Sequence, residues 1–127
     1  MRHFIDMLDL TGDQILKLLK DAVRIKKALR KGKHKPRLEG KTLGMMFEKP
    51  SLRTRVSFQA GMAQLGGQSV FLSGAEVGFG KRETLSDIAR TMCEYVDAIV
   101  LRTFQHEHVV EFCRWPRLWS ASAFQRK

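Results

Sequence analysis

The sequence predicts an α/β domain of three layers, a parallel sheet with helices on both faces. Three observations predict it. Apolar runs of strand length alternate with helical periods along the chain, which is the order that βαβ units require. Those runs lack polar–apolar alternation, as strands covered on both faces do. Finally, 127 residues with 43% hydrophobic content match the size and composition of one globular domain.

Each element has its own signals. Thr11 and Gln14 have capping-box spacing and open a helix over 11–30. Ile15, Leu18, Leu19, Ala22, Val23 and Leu29 give it a 3.6-residue apolar period that only Lys26 breaks. Gly32 stops it, and residues 33–37 read as a loop. Residues 42–47 form a strand, and Glu48-Lys49-Pro50-Ser51 the turn after it. A second helix is expected from about Thr54 to Leu65, closed by Gly66-Gly67. Residues 69–72 read as a strand, with a glycine-bearing loop after it through Arg82. Thr84, three residues before Asp87, caps a third helix to about Glu94. Residues 97–101 are a third buried strand, and 105–113 begin a further helix.

The net charge of +10 is confined to two places. Residues 17–41 hold eleven of the 23 basic residues against two acids, and the tail after Cys113 holds four bases and no acid. A solvated helix face accounts for the first cluster better than a polyanion surface, because no aromatic residue interleaves its lysines. Nucleic acid is therefore not the expected partner. No apolar run approaches the ~20 residues of a membrane helix. The acid-bearing N-terminus is not a signal peptide, and Cys93 and Cys113 read as reduced intracellular thiols, so a cytoplasmic domain is expected.

In parallel sheets ligands bind outside the carboxyl ends of the strands, here at the loops 48–55, 73–83 and 102–105. The first of these carries Ser51, Arg53 and Thr54 at a helix entrance, where unpaired N–H groups and the positive dipole end favour an anion. A guanidinium adds a planar fork for phosphate oxygens. The third strand ends in Leu101-Arg102-Thr103-Phe104, which brings a second arginine to the same edge. Three other patterns are set aside. Residues 75–82 nearly spell a P-loop, but Arg82 occupies the magnesium-binding Ser/Thr position. His106 and His108 with Glu107 and Glu111 could ligate a metal only on a strand, and the stretch reads as helical. Cys93 lies beside Met92 in a helix and reads as core filler.

The run from Phe47 through Phe58, then Gly61 to Gly67, resembles the carbamoyl-phosphate loop and helix of the aspartate/ornithine carbamoyltransferases. The resemblance continues through Gly78 to Thr84, Asp87 to Arg90 and Tyr95 to Phe104, and covers residues 3 to about 111. Lys49 before Pro-Ser and the Arg-Thr-Phe ending look like the ornithine branch; the aspartate branch usually lacks that lysine and follows its Arg with His. The resemblance implies transfer of a carbamoyl group from carbamoyl phosphate to the δ-amine of L-ornithine, giving L-citrulline and phosphate. It implies that Ser51, Arg53 and Thr54 hold the phosphate, partly through the N–H groups of residues 52–54. Arg102 would then bridge phosphate and carbamoyl oxygen, with Arg53 and Arg102 as the catalytic pair. It further implies no metal, no cofactor, no covalent intermediate, and a cytosolic homotrimer whose active sites lie between subunits. The 73–83 loop would reach a neighbour's site. Leu52 stands where the family motif usually has Thr; a backbone contact survives that change and a hydroxyl contact does not. Glu76 lies near a phosphate-side Gln of many members and, being an acid, is assigned no binding role.

The carbamoyl-phosphate-binding domain is thus expected over 1–112, with its sheet incomplete at the C-terminal end. Residues 113–127 read as an atypical basic tail with no period, and a reading-frame slip near residue 112 is the expectation for its origin. The Val-Pro-Val-like strand, the His-Pro-x-Gln motif and the second, ornithine-binding domain that the resemblance leads one to expect are not found there. Turnover by this chain alone is therefore not expected. A different class of reading, a basic remnant that binds a polyanion through residues 17–41, is separable by its salt dependence.

Overall fold

The computed structural model describes residues 3–78, 83–114 and 119–122, the last four as backbone only. Five strands form one parallel sheet: β1 (His3–Phe4), β2 (Thr42–Phe47), β3 (Gln68–Ser73), β4 (Ala98–Arg102) and β5 (Trp119–Ser122). Their order is β1-β5-β4-β2-β3, and every neighbouring pair is parallel. The helices are α1 (Gly12–Arg30), α2 (Leu52–Gln64), the short α3 (Gly74–Val77), α4 (Leu85–Tyr95) and α5 (His106–Phe112).

Strand β2 shows how the layers arise. Its side chains alternate between faces, so Leu43, Met45 and Phe47 join Val100 and Met62 of α2 in one core, while Met46 joins the other. That second core gathers Ile88, Ala89 and Met92 of α4, Ile99 and Leu101 of β4, and Val109 and Phe112 of α5. Met45, Met46 and Leu101 are fully buried, which explains why β2 and β4 read as unbroken apolar runs. Gly44 permits the close approach of α4: a Cβ there would lie 2.5 Å from the Met92 terminal methyl. The helices thus cover both faces, as the alternation predicts.

The local signals at the helix starts are borne out. Thr11 and Gln14 form the reciprocal capping box of α1, and the Thr84 side chain accepts the N–H of Asp87 at α4. α2 begins two residues earlier than expected, with Ser51 at its N-cap, so Leu52, Arg53 and Thr54 form its first turn. Two features depart further. The amphipathic α1 forms but buries none of its residues, and Leu16, Leu18, Leu19 and Val23 each stay more than half exposed. The stretch read as an atypical basic tail with no period supplies β5, which lies between β1 and β4 in register with both, Ala98 opposite Trp119 and His3 opposite Ser120. β4 is therefore paired on both sides, with β2 and with β5. Backbone hydrogen bonding makes this strand; Ser-Ala-Ser has little strand preference of its own. Among the described residues no helix is long and apolar enough to cross a membrane.

Candidate functional site

β2 and β4 end level with each other, Phe47 opposite Arg102. The residues beyond them therefore emerge side by side at the carboxyl edge of the sheet. After β2 the chain turns through residues 48–51 directly into α2, so the first-turn N–H groups of residues 52–54, which have no intrahelical acceptor, open at this edge. The Ser51 side chain makes no capping bond to them; its hydroxyl donates instead to Thr54 Oγ1 at 2.8 Å. Ser51 is thus held close to Thr54 without consuming the N–H groups. Leu52 projects outward, 79% exposed, so its side chain replaces no buried contact. The structure brings Ser51, Arg53, Thr54 and Arg102 to one edge of the sheet, as their positions in the sequence imply.

The segment after β4 is held by contacts that no local sequence pattern foretells. The Glu48 side chain, only 7% exposed, accepts the N–H of Phe104 through Oε2 at 2.5 Å. Its Oε1 lies 3.0 Å from His108 Nδ1. A carboxylate only accepts, so the proton of this bond sits on the imidazole. The backbone N–H of Glu48 donates to the carbonyl of Arg102 at 2.8 Å. One residue later, Lys49 Nζ stands 4.6 Å from the centre of the Phe104 ring. Thr103, buried, donates its hydroxyl to the carbonyl of Gln105 and shapes the turn into α5. An open depression of about 340 Å³ lies beside these groups, lined by Glu48, Gly74, Ala75, Phe104, Gln105 and His108.

The remaining candidates fall elsewhere. Glu76 is engaged in a capping box at α3, where its carboxylate accepts the N–H and hydroxyl of Ser73. Those bonds hold its carboxyl below the usual glutamate range. The acid thus serves in the cap of its own short helix. His108 pairs with Glu48, and Glu111 accepts from Ser86, so the residues weighed as metal ligands are drawn to different neighbours. Among the described residues no group of three or more His, Cys, Asp or Glu is gathered for a metal. Residues 79–82, half of the near-P-loop, lie outside the described residues. Glu48 was missed because its partners are 56 and 60 residues away, beyond any local pattern.

Comparison with known proteins agrees with this architecture. Residues 2–122 match the family model for the aspartate/ornithine carbamoyltransferase, carbamoyl-P binding domain, and so the match runs through β5. The ornithine carbamoyltransferase of Anoxybacillus flavithermus is 46% identical over 114 residues, which cover 90% of this chain and 36% of that protein. The structure of ornithine carbamoyltransferase from Pyrococcus furiosus superposes with a TM-score of 0.90 at 37% identity, covering 95% of this chain and 39% of that one. The catalytic subunit of the M. jannaschii aspartate transcarbamoylase superposes at 0.88 and 31% identity, over 98% of this chain and 41% of that one. The chain thus spans about two fifths of the relatives it matches. With the fold, the level strand ends and this match over nearly all its residues, the chain belongs to the aspartate/ornithine carbamoyltransferase family, as its carbamoyl-P binding domain.

Proposed function

We propose that this chain binds carbamoyl phosphate at the carboxyl edge of β2 and β4, and that it contributes this half-site to transfer of the carbamoyl group onto L-ornithine. The observation that carries the reading is the juxtaposition of the α2 first turn with the end of β4, Phe47 opposite Arg102. The phosphate would lie on the N–H groups of residues 52–54 with Ser51, Arg53 and Thr54 around it, where the helix dipole and a guanidinium both favour negative charge. Leu52 would contribute its backbone N–H and no hydroxyl.

In the transfer, the δ-amine of ornithine attacks the carbamoyl carbon and negative charge builds on the carbamoyl oxygen. Arg102 is the group at this edge suited to stabilise that oxyanion while Arg53 holds the phosphate. Collapse of the tetrahedral intermediate breaks the bond from carbon to the bridging oxygen. Phosphate leaves with the electron pair, the nitrogen loses a proton, and L-citrulline results. Orientation and preorganised charge supply the catalysis, with no metal and no cofactor required. The ornithine branch is supported by Lys49 and by Thr103-Phe104, and the Anoxybacillus flavithermus relative carries that name. The aspartate branch is the alternative acceptor. A cytoplasmic homotrimer with sites between subunits, working in arginine biosynthesis or a urea-cycle-type pathway, is the setting this reading implies.

Calorimetric titration of the 127-residue chain with carbamoyl phosphate tests it. Binding that inorganic phosphate competes away, and that Arg53→Ala and Arg102→Ala each weaken by about tenfold or more, is expected. No heat at millimolar carbamoyl phosphate would remove the reading. Binding that falls steeply with salt, shows no phosphate competition and responds to lysines in 17–41 would favour the polyanion alternative.

A further inference from the structure

We propose that Glu48 is a positioning residue, which sets the spacing between the phosphate-holding turn of α2 and Arg102. The inference rests on the carbamoyl-phosphate reading above and names what holds that half-site together. Glu48 is the residue at which the β2 exit and the β4 exit are joined. Its own N–H donates to the Arg102 carbonyl, and its carboxylate accepts from Phe104 N–H and lies against His108. The two bonds of the carboxylate are spaced to either side of the turn beyond Arg102. One grips the second residue after Arg102, the other the first turn of α5.

The grip has little slack. The Glu48 side chain is nearly buried, and Gly74 confines its backbone from the β3 side, where an added Cβ would lie 3.2 Å from Glu48 Cα. Three residues beyond Glu48 comes the N-cap of α2. A shift of Glu48 therefore carries the first turn of α2 with it, away from Arg102. Lys49 and Phe104 add a second contact across the same gap. These two residues mark the ornithine branch in the sequence, and here they touch. Each supplies half of one cation–π contact between the two exits. In this role Glu48 acts through Arg102 and α2 rather than by holding the anion itself.

The test compares phosphate and carbamoyl phosphate affinity of the 127-residue chain with those of Glu48→Ala and Glu48→Gln, together with their melting temperatures. The Gln amide oxygen still accepts from Phe104, and its NH₂ donates to His108 Nδ1 once the imidazole carries its proton on Nε2 instead, so Glu48→Gln is expected to bind within about threefold of the parent. Glu48→Ala frees the two exits and is expected to lose about tenfold or more while it remains folded, since misplacement of charged groups by about 1 Å is costly. Where Glu48→Ala does not fold, His108→Ala removes one of the two anchors and carries the comparison, with a smaller loss of about threefold expected. Equal affinity of the folded Ala variant and the parent overturns the inference, as does a Gln variant as weak as the Ala variant. A parent chain that binds neither ligand overturns the carbamoyl-phosphate reading itself, and the positioning role with it.

Discussion

β2 and β4 are tied together at both ends, and the two ties have the same chemistry in different surroundings. At the amino end, Asp97 accepts Thr42 N–H at 2.9 Å and Lys41 Nζ at 2.7 Å, with 40% of the Asp97 side chain and 56% of the Lys41 side chain exposed. At the carboxyl end, Glu48 accepts Phe104 N–H and faces His108, with 7% and 26% exposed. Each tie pairs a carboxylate with a backbone N–H of the other strand's flank and with a basic side chain. Water competes for every bond at the first and for few at the second, so the first registers the strands and contributes little energy. Removing one partner of the second leaves buried polar groups unsatisfied, which costs much more. The difference teaches that the sheet is held firmly on the side where ligand chemistry is expected.

The largest expected effect lies in the core between the two ties. Met46→Ala opens a cavity under β2 and should destabilise the domain by about 2–5 kcal/mol, read as a shift in urea midpoint at unchanged slope. Glu48→Ala should come next, at about 1–3 kcal/mol, with phosphate affinity lost beyond what the stability change explains. Asp97→Ala should cost about 1 kcal/mol or less and leave phosphate affinity unchanged, which calorimetry on the same preparations checks. A comparable stability loss at the two ends would sink the contrast between them. Lys49→Ala, removing an exposed cation–π contact, should cost about 0.5–1 kcal/mol and bring a measurable but small drop in affinity.

Acid sharpens the comparison further. The Lys41 ammonium and the Thr42 N–H hold the Asp97 carboxyl below its ordinary range. A carboxylate with a lowered folded pKa contributes stability that is fully present above its unfolded value, near pH 4, and is lost as pH falls through the folded value. Parent minus Asp97→Asn stability, measured by urea titration, should therefore be flat from pH 7 to about 5 and shrink below about 4. A difference that grows on acidification would contradict this account.

Legibility in the sequence depends on how local each cause is. The caps at Thr11 and Thr84 lie three residues from their partners, and the apolar runs of β2 and β4 are contiguous, so they could be read directly. The same holds for the hydroxyls and arginine at the start of α2, which share one helical turn. β1 and β5 could not be read, because two residues and a Ser-Ala-Ser run carry no periodic signal; their partners across the sheet make them strands. Glu48 and His108 were visible as residue types, and His108 was weighed for metal binding. The hydrogen bond that ties them needs the β2–β4 pairing to be known first. The open apolar stripe of α1 is the converse case. Its period is plain in the sequence, but a period cannot say whether anything covers it.

The place of β5 also sets the order in which the sheet can close. β2 pairs with β3 across 26 positions of sequence, Thr42 with Gln68, and β4 then crosses over to the other side of β2. The first strand of the chain has to wait longest, since His3 pairs with Ser120 and β1 has no other neighbour in the sheet among the described residues. On the ribosome, the N-terminal strand emerges first and finds its place only after β5 has left the exit tunnel. Until then these two residues lack the partner that makes them a strand.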